Sequence, residues 1–556
     1  MKDKIKGLVW QGAQAAAAKA GLSQALDQGR FLVERPANPE FGDFSSNAAL
    51  VFSKDFKAAD PKATGRNLAQ LIIDGIPDKE GVFASVGIAG PGFINFRLTA
   101  ATWQRQLKAI RASGATYGSS APSGRKVLLE FVSSNPTGPL HVGHGRGAAW
   151  GDAMANVLSF LGDEVTREYY INDAGNQIAT LGRSVLFRLE NPEPDREAPD
   201  GLYKGLYVLG LADELKRRHD PAWFARPEGE LLPDLSREAS DIILQSMRED
   251  LGLFNVGFDN WFSERSLYES GEVGKAIGIL KERGHTYEGD GALYFKSTDY
   301  GDDKDRVLVK SDGDTTYFAS DVAYHENKFG RGYDLAIDVL GADHAGYLAR
   351  MSAAVQALGH DKDQLRIVLY QLVKLFRDKA PVRMSTRAGE FVPLRLVLDE
   401  VSPDAARFLY LTQSHDSTLD FDLEVAKAKN SDNPAYYVQY LTARIFQVRA
   451  KALSAFGAIE EPDFSLLKDG EEIALISQLE GFPELLRNIG RNLQPHLLTT
   501  WLVETAKLFH HYYGGHRIVQ EGERDLSFAR LGLAWTVRTV VGIGLRLLGA
   551  EAPERM

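Results

Sequence analysis

Two histidines, His141 and His144, are the first candidates for chemistry in this 556-residue chain. They follow the loop 133–140, which holds two prolines and a glycine, and they stand where a helix is expected to begin. A helix N-terminus binds anions because its free amides and its dipole point at the ligand. Two imidazoles can donate hydrogen bonds to phosphate there, and Gly143 would let a flat base approach the backbone. The residues predict an ATP-phosphate site, with structural histidines as the alternative.

The glycines in this stretch do not follow a common nucleotide motif. Gly143, Gly145 and Gly147 are spaced G-x-G-x-G, whereas a dinucleotide fold uses G-x-G-x-x-G. A Walker loop, G-x-x-x-x-G-K-[ST], occurs nowhere in the sequence. If phosphates bind here, a loop of another kind must hold them.

Tyr317 and Asp321 form a second candidate pair, because residues four apart on a helix share one face. A guanidinium is planar and always charged; it pairs with carboxylates and stacks on aromatic rings. A ring beside an acid could hold such a cation, but an ordinary helix start with a solvated acid has the same spacing and is the interpretation that these residues alone favour. Glu130 lies in an apolar strand, where burying a carboxylate is costly unless it is paired.

Composition and charge narrow the class of protein. Lysine and arginine total 64 against 75 acidic residues, a net charge of −11, so a uniformly basic nucleic-acid coat is excluded but one basic face is not. The absence of cysteine excludes disulfides, thiolate zinc sites and cysteine nucleophiles. His510, His511 and His516 fit no common zinc spacing and are expected to pack on helix faces.

Targeting signals are weak. The N-terminal segment 1–21 contains basic residues and alanines, but polar residues interrupt its apolar run, so it is interpreted as an amphipathic helix rather than a signal peptide. No window reaches about 18 uninterrupted apolar residues. We expect a soluble, cytoplasmic protein that binds no membrane. No heptad seam is evident, which favours a monomer.

The elements that must position these residues have an α/β pattern. Strand 126–132, a loop, helix 144–161 and an alternating strand at 165–171 form a βαβ unit of a parallel sheet. The charged, proline-containing stretch 184–290 interrupts it and is expected to be an insertion. The sheet is expected to resume at 306–318 and 335–344. After residue 400 the pattern is almost wholly helical.

The loop-to-helix segment carries a family resemblance. HVGH, after a strand ending in EFV and the loop NPTGPL, resembles the HIGH signature of class I aminoacyl-tRNA synthetases, and EFVSSNPTGPLHVGHGRGAAWGD is similar to the arginyl-tRNA synthetase version. Further strings over nearly the whole chain also resemble that family: FGDFSSNAA (41–49), GIAGPGFINFRL (87–98), YINDAGNQI (170–178), FDNWFSERSLY (258–268), TTYFASDVAYHENKF (315–329), MSTRAGEFV (384–392), DFDLEVA (420–426), NPAYYVQYLTARI (433–445) and the ending APERM.

The resemblance implies a fold and an activity. The fold would be a Rossmann-type parallel-sheet catalytic domain with an insertion, an α+β N-terminal domain and an all-α C-terminal anticodon-binding domain. The activity would be arginine–tRNA ligase: ATP and L-arginine give arginyl-adenylate and pyrophosphate, and arginine passes to the 3′-terminal ribose of tRNA(Arg) with release of AMP. Mg²⁺ would accompany ATP, with no structural metal in the protein.

The resemblance also implies domain boundaries. The expected segments are an N-terminal tRNA-elbow (D-loop) domain at 1–115, the first half of the catalytic domain at 116–183, the insertion at 184–290, the second half of the catalytic domain at 291–375, a KMSKS-like loop with a stem-contact region at 376–430, and a helical DALR anticodon-binding domain at 431–556. The string Asp404-Ala405-Ala406-Arg407 approximates the DALR tag, with alanine in place of leucine.

Site residues are carried over position by position. Catalytic roles would fall on His141, His144, Arg383 and Arg387. ATP contacts would fall on Gly138, His141, Gly143, His144, Met384 and Ser385. Arginine contacts would fall on Glu130, Ser133, Asn135, His141, Tyr317, Asp321 and Asp343. Contacts with tRNA would fall on Phe41, Asp43, Phe44 and Asn47 at the D-loop and on Tyr437, Tyr440, Arg444 and Met556 at the anticodon. Without the resemblance, Tyr437, Tyr440 and Arg444 would be interpreted as an aromatic stripe in a bundle core.

One motif departs from the family pattern. Where KMSKS usually stands, the chain has Arg383 to Arg387, and the lysine expected to hold pyrophosphate is Thr386. Some arginyl enzymes place a lysine just ahead of the HIGH-like motif instead, but here that position is Gly138. Arg383, Arg387 or Lys379 are the alternative cations. The resemblance implies that cognate tRNA must bind before arginine is activated, and the irregular loop favours this because bound RNA could order it.

Two rival functions remain at the level of the sequence. A class I synthetase of another amino acid specificity would not need the pair Tyr317 and Asp321. A non-catalytic tRNA-binding paralogue would explain Thr386 without any activity.

Overall fold

A computed structural model describes residues 1–22, 25–57, 59, 65–77, 79–382 and 391–556. The chain divides into two compact units. The first unit contains residues 1–117, 444–482 and 507–540, and the second contains residues 118–443, 483–506 and 541–556.

The N-terminal part of the first unit is α+β. Its four-stranded antiparallel sheet has the order β1-β2-β4-β3, and helices cover it. Gly90, with φ 53°, supplies the left-handed residue of the tight β3–β4 turn. The elements are α1 (Lys2–Lys19), β1 (Val33–Glu34), β2 (Phe44–Ser46), α2 (Ala48–Lys57), α3 (Arg66–Gly75), α4 (Lys79–Val82), β3 (Phe83–Ala89), β4 (Phe93–Leu98) and α5 (Ala100–Ser113).

The second unit begins with the α/β part of the chain. Its elements are β5 (Lys126–Glu130), α6 (Val142–Phe160), β6 (Glu164–Ile171), α7 (Asn176–Glu190), α8 (Tyr207–Arg218), α9 (Pro221–Phe224), α10 (Glu228–Leu253), β7 (Asn260–Ser263), α11 (Glu264–Glu269), α12 (Glu272–Glu282), β8 (Thr286–Gly289), β9 (Ala292–Phe295), β10 (Arg306–Val309), α13 (Tyr317–Gly330), β11 (Leu335–Gly341), α14 (Tyr347–Ala357), β12 (Leu365–Tyr370), β13 (Val373–Arg377), β14 (Ala380–Pro381), α15 (Leu394–Glu400), α16 (Pro403–Tyr410), β15 (Leu419–Asp422) and α17 (Leu423–Lys427).

The C-terminal region is helical, as its sequence pattern predicts. Its helices are α18 (Pro434–Phe456), α19 (Gly470–Glu480), α20 (Phe482–Asn492), α21 (His496–Gly515) and α22 (Arg524–Leu547). Among the described residues, α22 is the one helix whose length and apolar composition would suffice to cross a membrane, and 67% of its most apolar window is buried inside the protein.

The centre of the second unit is a five-stranded parallel sheet of order β12-β11-β5-β6-β7. Residues 127–129 of β5 and 335–337 of β11 are buried, which explains their continuous apolar character. The chain runs outward from β5 to β7 on one side and then returns to build β11 and β12 on the other. The predicted Rossmann-type fold is confirmed, and its strand order reverses between β5 and β11.

Two strands differ from the sequence prediction. β10 does not rejoin the parallel sheet; it pairs antiparallel with β9 in a separate sheet of order β10-β9-β8. Only ten residues separate β9 from β10, too few for the crossover that a parallel pair needs. β7, within the range 184–290, forms the edge of the parallel sheet, and its short sequence NWFS has no apolar alternation that would reveal it.

A buried arginine ties distant parts of the second unit together. Arg407, the last residue of the DALR-like string, is 0% exposed. Its guanidinium donates to the carbonyls of Phe254, Asn255 and Leu548 and to the carboxylate of Asp152. This string therefore has a packing role that its spacing alone does not reveal.

Candidate functional site

The candidate site lies at the carboxyl ends of the central strands β5 and β11. In an open parallel sheet, ligands bind at this edge, where the strand order reverses. Glu130 ends β5 and pairs in register with Asp338 of β11. We call the space above these residues the crevice. The loop 131–141, the first turn of α13 and the turn after β11 each supply side chains to it.

The loop leaves β5 through an unusual turn. Val132 and Ser133 have φ angles of 69° and 40°, the left-handed region that a β-branched residue rarely adopts. The Ser133 hydroxyl donates to Glu130 Oε1 over 2.9 Å and accepts from the backbone N–H of Tyr170 over 3.1 Å. The turn thus fixes the carboxylate of Glu130 at the edge of the sheet.

The two histidines cap α6. The imidazole Nδ1 of His141 accepts from the N–H of Gly143, and that of His144 accepts from the N–H of His141, each over 3.1 Å. The rings stack with centroids 3.6 Å apart and planes 17° apart. The sequence HVGH is therefore a reciprocal capping arrangement as well as a candidate binding motif.

Burial determines the charge of both rings, and the capping hydrogen bonds determine which ring nitrogen carries the proton. Burial lowers the pKa of His141 and lowers that of His144 well below its ordinary value, so both rings are neutral at neutral pH. A neutral imidazole whose Nδ1 accepts a hydrogen bond carries its proton on Nε2. Each histidine therefore offers one N–H donor beside the N-terminus of α6, an arrangement that suits phosphate oxygens.

The glycines of this stretch serve close packing. A Cβ on Gly143 would lie 2.9 Å from Cε1 of His141, so this glycine leaves room for the capping imidazole. A Cβ on Gly147 would lie 3.0 Å from the ring of Tyr370, and one on Gly151 would lie 2.2 Å from Phe131. Packing of α6 against its neighbours thus explains the G-x-G-x-G spacing.

The KMSKS-like residues Arg383, Met384, Ser385, Thr386 and Arg387 lie outside the described residues. The chain is described again from Phe391, whose ring meets that of His141 edge-on at 5.8 Å. The backbone then pairs with the histidine loop: Val142 N–H donates to the Val392 carbonyl, and Leu394 N–H donates to the Leu140 carbonyl. The KMSKS-like segment is therefore followed directly by residues that contact the HIGH-like motif.

The opposite end of the crevice is acidic and aromatic. Tyr317 and Asp321 lie on the first turns of α13, and the Tyr317 ring is 55% exposed. The phenol of Tyr347, which begins α14, donates to the Asp321 carboxylate. Glu264, at the start of α11, is buried and accepts from the Ser320 hydroxyl over 2.7 Å. We call Glu264, Tyr317, Asp321 and Tyr347 the guanidinium pocket, after the group that the sequence resemblance leads us to expect there.

Burial dominates the electrostatics of this pocket. It raises the pKa of Asp321 to about 7, with further contributions from the negative charges of Glu264 and Glu130. It also raises the pKa of Glu264. A pocket whose acids resist ionisation gains most from a bound cation, because the cation restores the favourable charge balance.

Glu130 is paired, as an acid in an apolar strand must be. Its Oε2 accepts from Lys328 Nζ over 2.6 Å, and the same ammonium donates to Asp338 Oδ1 over 2.6 Å. His325 Nε2 lies 2.8 Å from Asp338 Oδ2. We call Glu130, His325, Lys328 and Asp338 the deep charge cluster; all four are buried, with Lys328 at 0% exposure.

Other predicted substrate residues lie at the margin of the crevice. The side chain of Asn135 donates to Gln177 over 2.7 Å. Gly138 lies beside Tyr207, whose hydroxyl donates to the Thr137 carbonyl. Asp343 follows β11, and its side chain is 84% exposed. Its charge acts on His141 by raising that pKa, but less than burial lowers it.

Two of the four predicted D-loop residues, Phe41 and Asn47, line a groove in the first unit. Phe41 is 49% exposed and lines a groove of about 590 Å³ together with Asn47 and Phe93. Asp43 and Phe44 serve the sheet instead: the Asp43 carboxylate accepts from Leu98 N–H over 2.6 Å, and Phe44 is buried. Exposed rings beside a groove suit unstacked bases, and Asp43 and the buried Phe44 support the sheet next to them.

The predicted anticodon residues lie on α18 and at the C-terminus. Tyr440 is 37% exposed and stacks on Tyr436, with centroids 6.0 Å apart and planes 10° apart. The guanidinium of Arg444 contacts His510 and lies 4.8 Å from the ring of Tyr513. Met556 is 49% exposed.

The sequence analysis did not predict three residues that contact the candidate site residues. Glu264 and Tyr347 join the guanidinium pocket from α11 and α14, and Tyr436 stacks on Tyr440. Glu264 stands within the family-like string FDNWFSERSLY, so the motif contained a signal for it. Tyr436 was visible from its four-residue spacing to Tyr440. No local pattern indicates Tyr347, because only the tertiary fold brings α14 to α13.

Comparisons with family models match three segments of the chain. Residues 11–98 match the arginyl-tRNA synthetase N-terminal domain. Residues 106–210 and 223–427 match the catalytic domain of class I tRNA synthetases for arginine. Residues 438–556 match the DALR anticodon-binding domain.

Comparisons with whole proteins cover the full length. An arginine–tRNA ligase from Syntrophotalea carbinolica is 46% identical and one from Desulfosudis oleivorans is 44% identical, each over 100% of both chains. The arginyl-tRNA synthetase structure from Thermus thermophilus, 24% identical, superimposes with a TM-score of 0.75 over 100% of both chains, which supports the fold.

Proposed function

The chain belongs to the arginyl-tRNA synthetase family, whose reaction attaches arginine to tRNA, and from this premise we propose that the crevice is its active site. The observation that carries the proposal is the pairing of neutral N–H donors at one end of the crevice with buried acids at the other. A substrate with a cationic side chain and a carboxylate that must reach a phosphate fits this polarity.

The guanidinium pocket would bind the side chain of arginine. Asp321 would accept paired hydrogen bonds from the guanidinium, Tyr317 would stack on its face, and Glu264 would supply a second negative charge. The α-amino group of the substrate would be held by Glu130 at the end of β5 and by Ser133 and Asn135 on the loop that leads from it to the histidines. Asp343, whose side chain is exposed, would act on the substrate mainly through the long-range electrostatic effect of its charge and not by direct contact.

The other end of the crevice would bind ATP as its Mg²⁺ complex. The Nε2–H groups of His141 and His144 would donate to phosphate oxygens, helped by the N-terminus of α6, while Gly138 and Gly143 would lie along the nucleotide. The arginine carboxylate then attacks the α-phosphate and pyrophosphate leaves, so the protein contributes positioning and neutralisation of charge rather than a nucleophile. Arg383, Arg387 or Lys379 would hold the pyrophosphate, with Met384 and Ser385 beside ATP.

The tRNA contacts would come from two surfaces. We assign residues 1–115 to the tRNA elbow, with Phe41 and Asn47 at the groove, and residues 431–556 to the anticodon, with Tyr437, Tyr440, Arg444 and Met556. Residues 116–183 and 291–375 would form the catalytic domain around the insertion 184–290, and residues 376–430 would follow as the stem-contact region. The protein would act as a cytoplasmic monomer.

A charging assay tests the proposal directly. Total tRNA is incubated with the protein, ATP, Mg²⁺ and each radiolabelled amino acid in turn. Arginine alone is expected to be incorporated. Incorporation of another amino acid at a comparable kcat/KM, or of none, would contradict the assignment of the crevice to arginine.

The need for tRNA can be tested separately. Without tRNA, we expect no arginine-dependent exchange between ATP and pyrophosphate; adding tRNA(Arg) should start it. The physical reason is that the KMSKS-like segment lacks the usual lysine at position 386, so bound RNA must help to hold the pyrophosphate. Robust exchange without tRNA would refute this requirement.

A further inference from the structure

One helix connects the guanidinium pocket to the deep charge cluster. Tyr317, Asp321, His325 and Lys328 follow one another at intervals of four, four and three residues along α13, so their side chains share one face. Tyr317 lies at the exposed end, and Lys328 is 0% exposed at the other. The face therefore runs from the mouth of the crevice into the sheet.

Hydrogen bonds join the whole face to β5 and β11. Lys328 Nζ bridges Glu130 Oε2 and Asp338 Oδ1, each at 2.6 Å. His325 Nε2 faces Asp338 Oδ2 at 2.8 Å, and its Nδ1 faces the main-chain carbonyl of Asp321 at 2.8 Å. Through His325, the backbone that carries Asp321 is thus tied to the central strand β11.

The two partners of His325 determine its charge. A carboxylate oxygen and a carbonyl oxygen both accept hydrogen bonds, so both ring nitrogens must donate, which only the imidazolium form allows. The cluster then holds two carboxylates, Glu130 and Asp338, against two cations, His325 and Lys328. Because His325 and Lys328 neutralise Glu130 and Asp338, the acids available to bind a cationic ligand are Asp321 and Glu264.

His325 also acts on Asp321 through space. The titratable groups around Asp321 come from several elements: Glu264 from α11, Glu130 from β5, Tyr170 from β6, Tyr347 from α14, and His325 on its own helix. Burial and the two glutamates raise the pKa of Asp321, whereas Tyr347 and His325 lower it. Loss of the imidazolium would leave Asp321 protonated over a wider pH range.

We propose that His325 is a positioning residue for arginine specificity: held between the Asp321 carbonyl and the Asp338 carboxylate, its imidazolium keeps the guanidinium pocket anionic and fixes the turn of α13 that carries Asp321. The inference rests on the proposed function, because it presumes that Asp321 binds the guanidinium. His325 itself does not touch the substrate.

The test compares His325→Gln with a matched control, His360→Gln. His360 lies after α14, and its Nε2 is 2.9 Å from a carboxylate oxygen of Glu326 on α13. The control therefore removes a histidine that pairs with an acid of the same helix but lies outside the deep charge cluster. Steady-state charging of tRNA(Arg) gives KM for arginine, KM for ATP and kcat at several pH values, and thermal melting confirms that both variants are folded.

The proposal predicts a specific pattern. His325→Gln should raise KM for arginine about fivefold at pH 7, since raising the pKa of Asp321 by about one unit from about 7 lowers its ionised fraction at that pH by about that factor. The increase should shrink as pH rises, while kcat and KM for ATP change less than about twofold, and His360→Gln should match the parent enzyme. A purely structural role would lower kcat or stability without this reversal by pH.

The outcomes separate the two proposals. An unchanged KM for arginine in His325→Gln, or an increase that pH does not reverse, overturns the role of His325. An unchanged KM for arginine in Asp321→Asn overturns the guanidinium pocket itself, whatever His325→Gln does. If His325→Gln fails to fold, the ring ¹⁵N spectrum of the histidine-labelled parent decides at pH 7.5: a doubly protonated buried ring supports the proposal, and its absence overturns it.

Discussion

At the end of the crevice that we propose for phosphate, the phosphate end, burial keeps two histidines neutral, whereas at the end proposed for the guanidinium the same burial raises the pKa of Asp321 to about 7. The histidines lose a positive charge that would bind phosphate by simple attraction, and they act instead as fixed N–H donors. Asp321 retains the capacity to ionise when a cation arrives. The difference teaches that the first end is organised by hydrogen-bond geometry and the second by charge.

The largest effect should come from the phosphate end. His141→Asn keeps a good N-cap for α6 but removes the Nε2–H donor, so kcat for arginine charging should fall about 10²- to 10³-fold. His141→Ala loses the cap as well and should unfold more easily by about 1 kcal/mol. Charging kinetics and thermal melting check both variants. A kcat within a few-fold of the parent in His141→Asn would show that the ring is only a cap.

A smaller effect, confined to binding, should follow at the guanidinium end. Asp321→Asn removes the charge but keeps the shape, so KM for arginine should rise about 10- to 100-fold, the range for charge-assisted hydrogen bonds. KM for ATP should stay the same, since ATP is proposed to bind at the other end. A fall in kcat with unchanged KM for arginine would contradict the division between the two ends.

The pH dependence sharpens the same comparison. The pKa of Asp321 is raised from its ordinary value of about 3.9 to about 7, so the carboxylate is ionised above pH 7 and neutral below it. Arginine binding should therefore weaken as pH falls. Between pH 7 and pH 6, kcat/KM for arginine should drop by no more than about tenfold, the limit for the titration of one group. Protonation of His141 and His144 contributes little in this range, because burial lowers both pKa values. The acid limb should disappear in Asp321→Asn; its persistence would assign it to another group.

The smallest effect is expected at the margin of the crevice. Asp343→Asn should change KM for arginine by about twofold or less, because solvent screens a side chain that is 84% exposed. The same charging assay measures it beside Asp321→Asn. A change above tenfold would place Asp343 in direct contact with arginine and extend the guanidinium pocket to β11.

Much of the catalytic core could be predicted from the sequence because its signals are local. The strand, loop and helix around HVGH, and the shared face of Tyr317 and Asp321, follow from periodicity and spacing. β7 could not be predicted, since four residues with intermediate burial carry no alternation. β10 was assigned to the wrong sheet because apolar alternation shows a strand but not its partner.

The site itself was partly hidden for a similar reason. An acid in an apolar strand indicates that Glu130 needs a partner, but not that the partner is Lys328, nearly two hundred residues away. The glycines 143, 145 and 147 suggested a role toward a ligand, and only the fold reveals how close His141, Tyr410 and Tyr370 come to them. Such contacts depend on tertiary packing, which no short window of sequence records.

The bonds of Arg407 bear on how the protein is made. Its buried guanidinium donates to the carbonyl of Leu548, which is synthesised 141 residues later. Until Leu548 is in place, a buried positive charge in the second unit lacks one of its acceptors, and leaving a buried charge without its hydrogen-bond partners is destabilising. A truncation that removes Leu548 should therefore weaken the folding of the second unit.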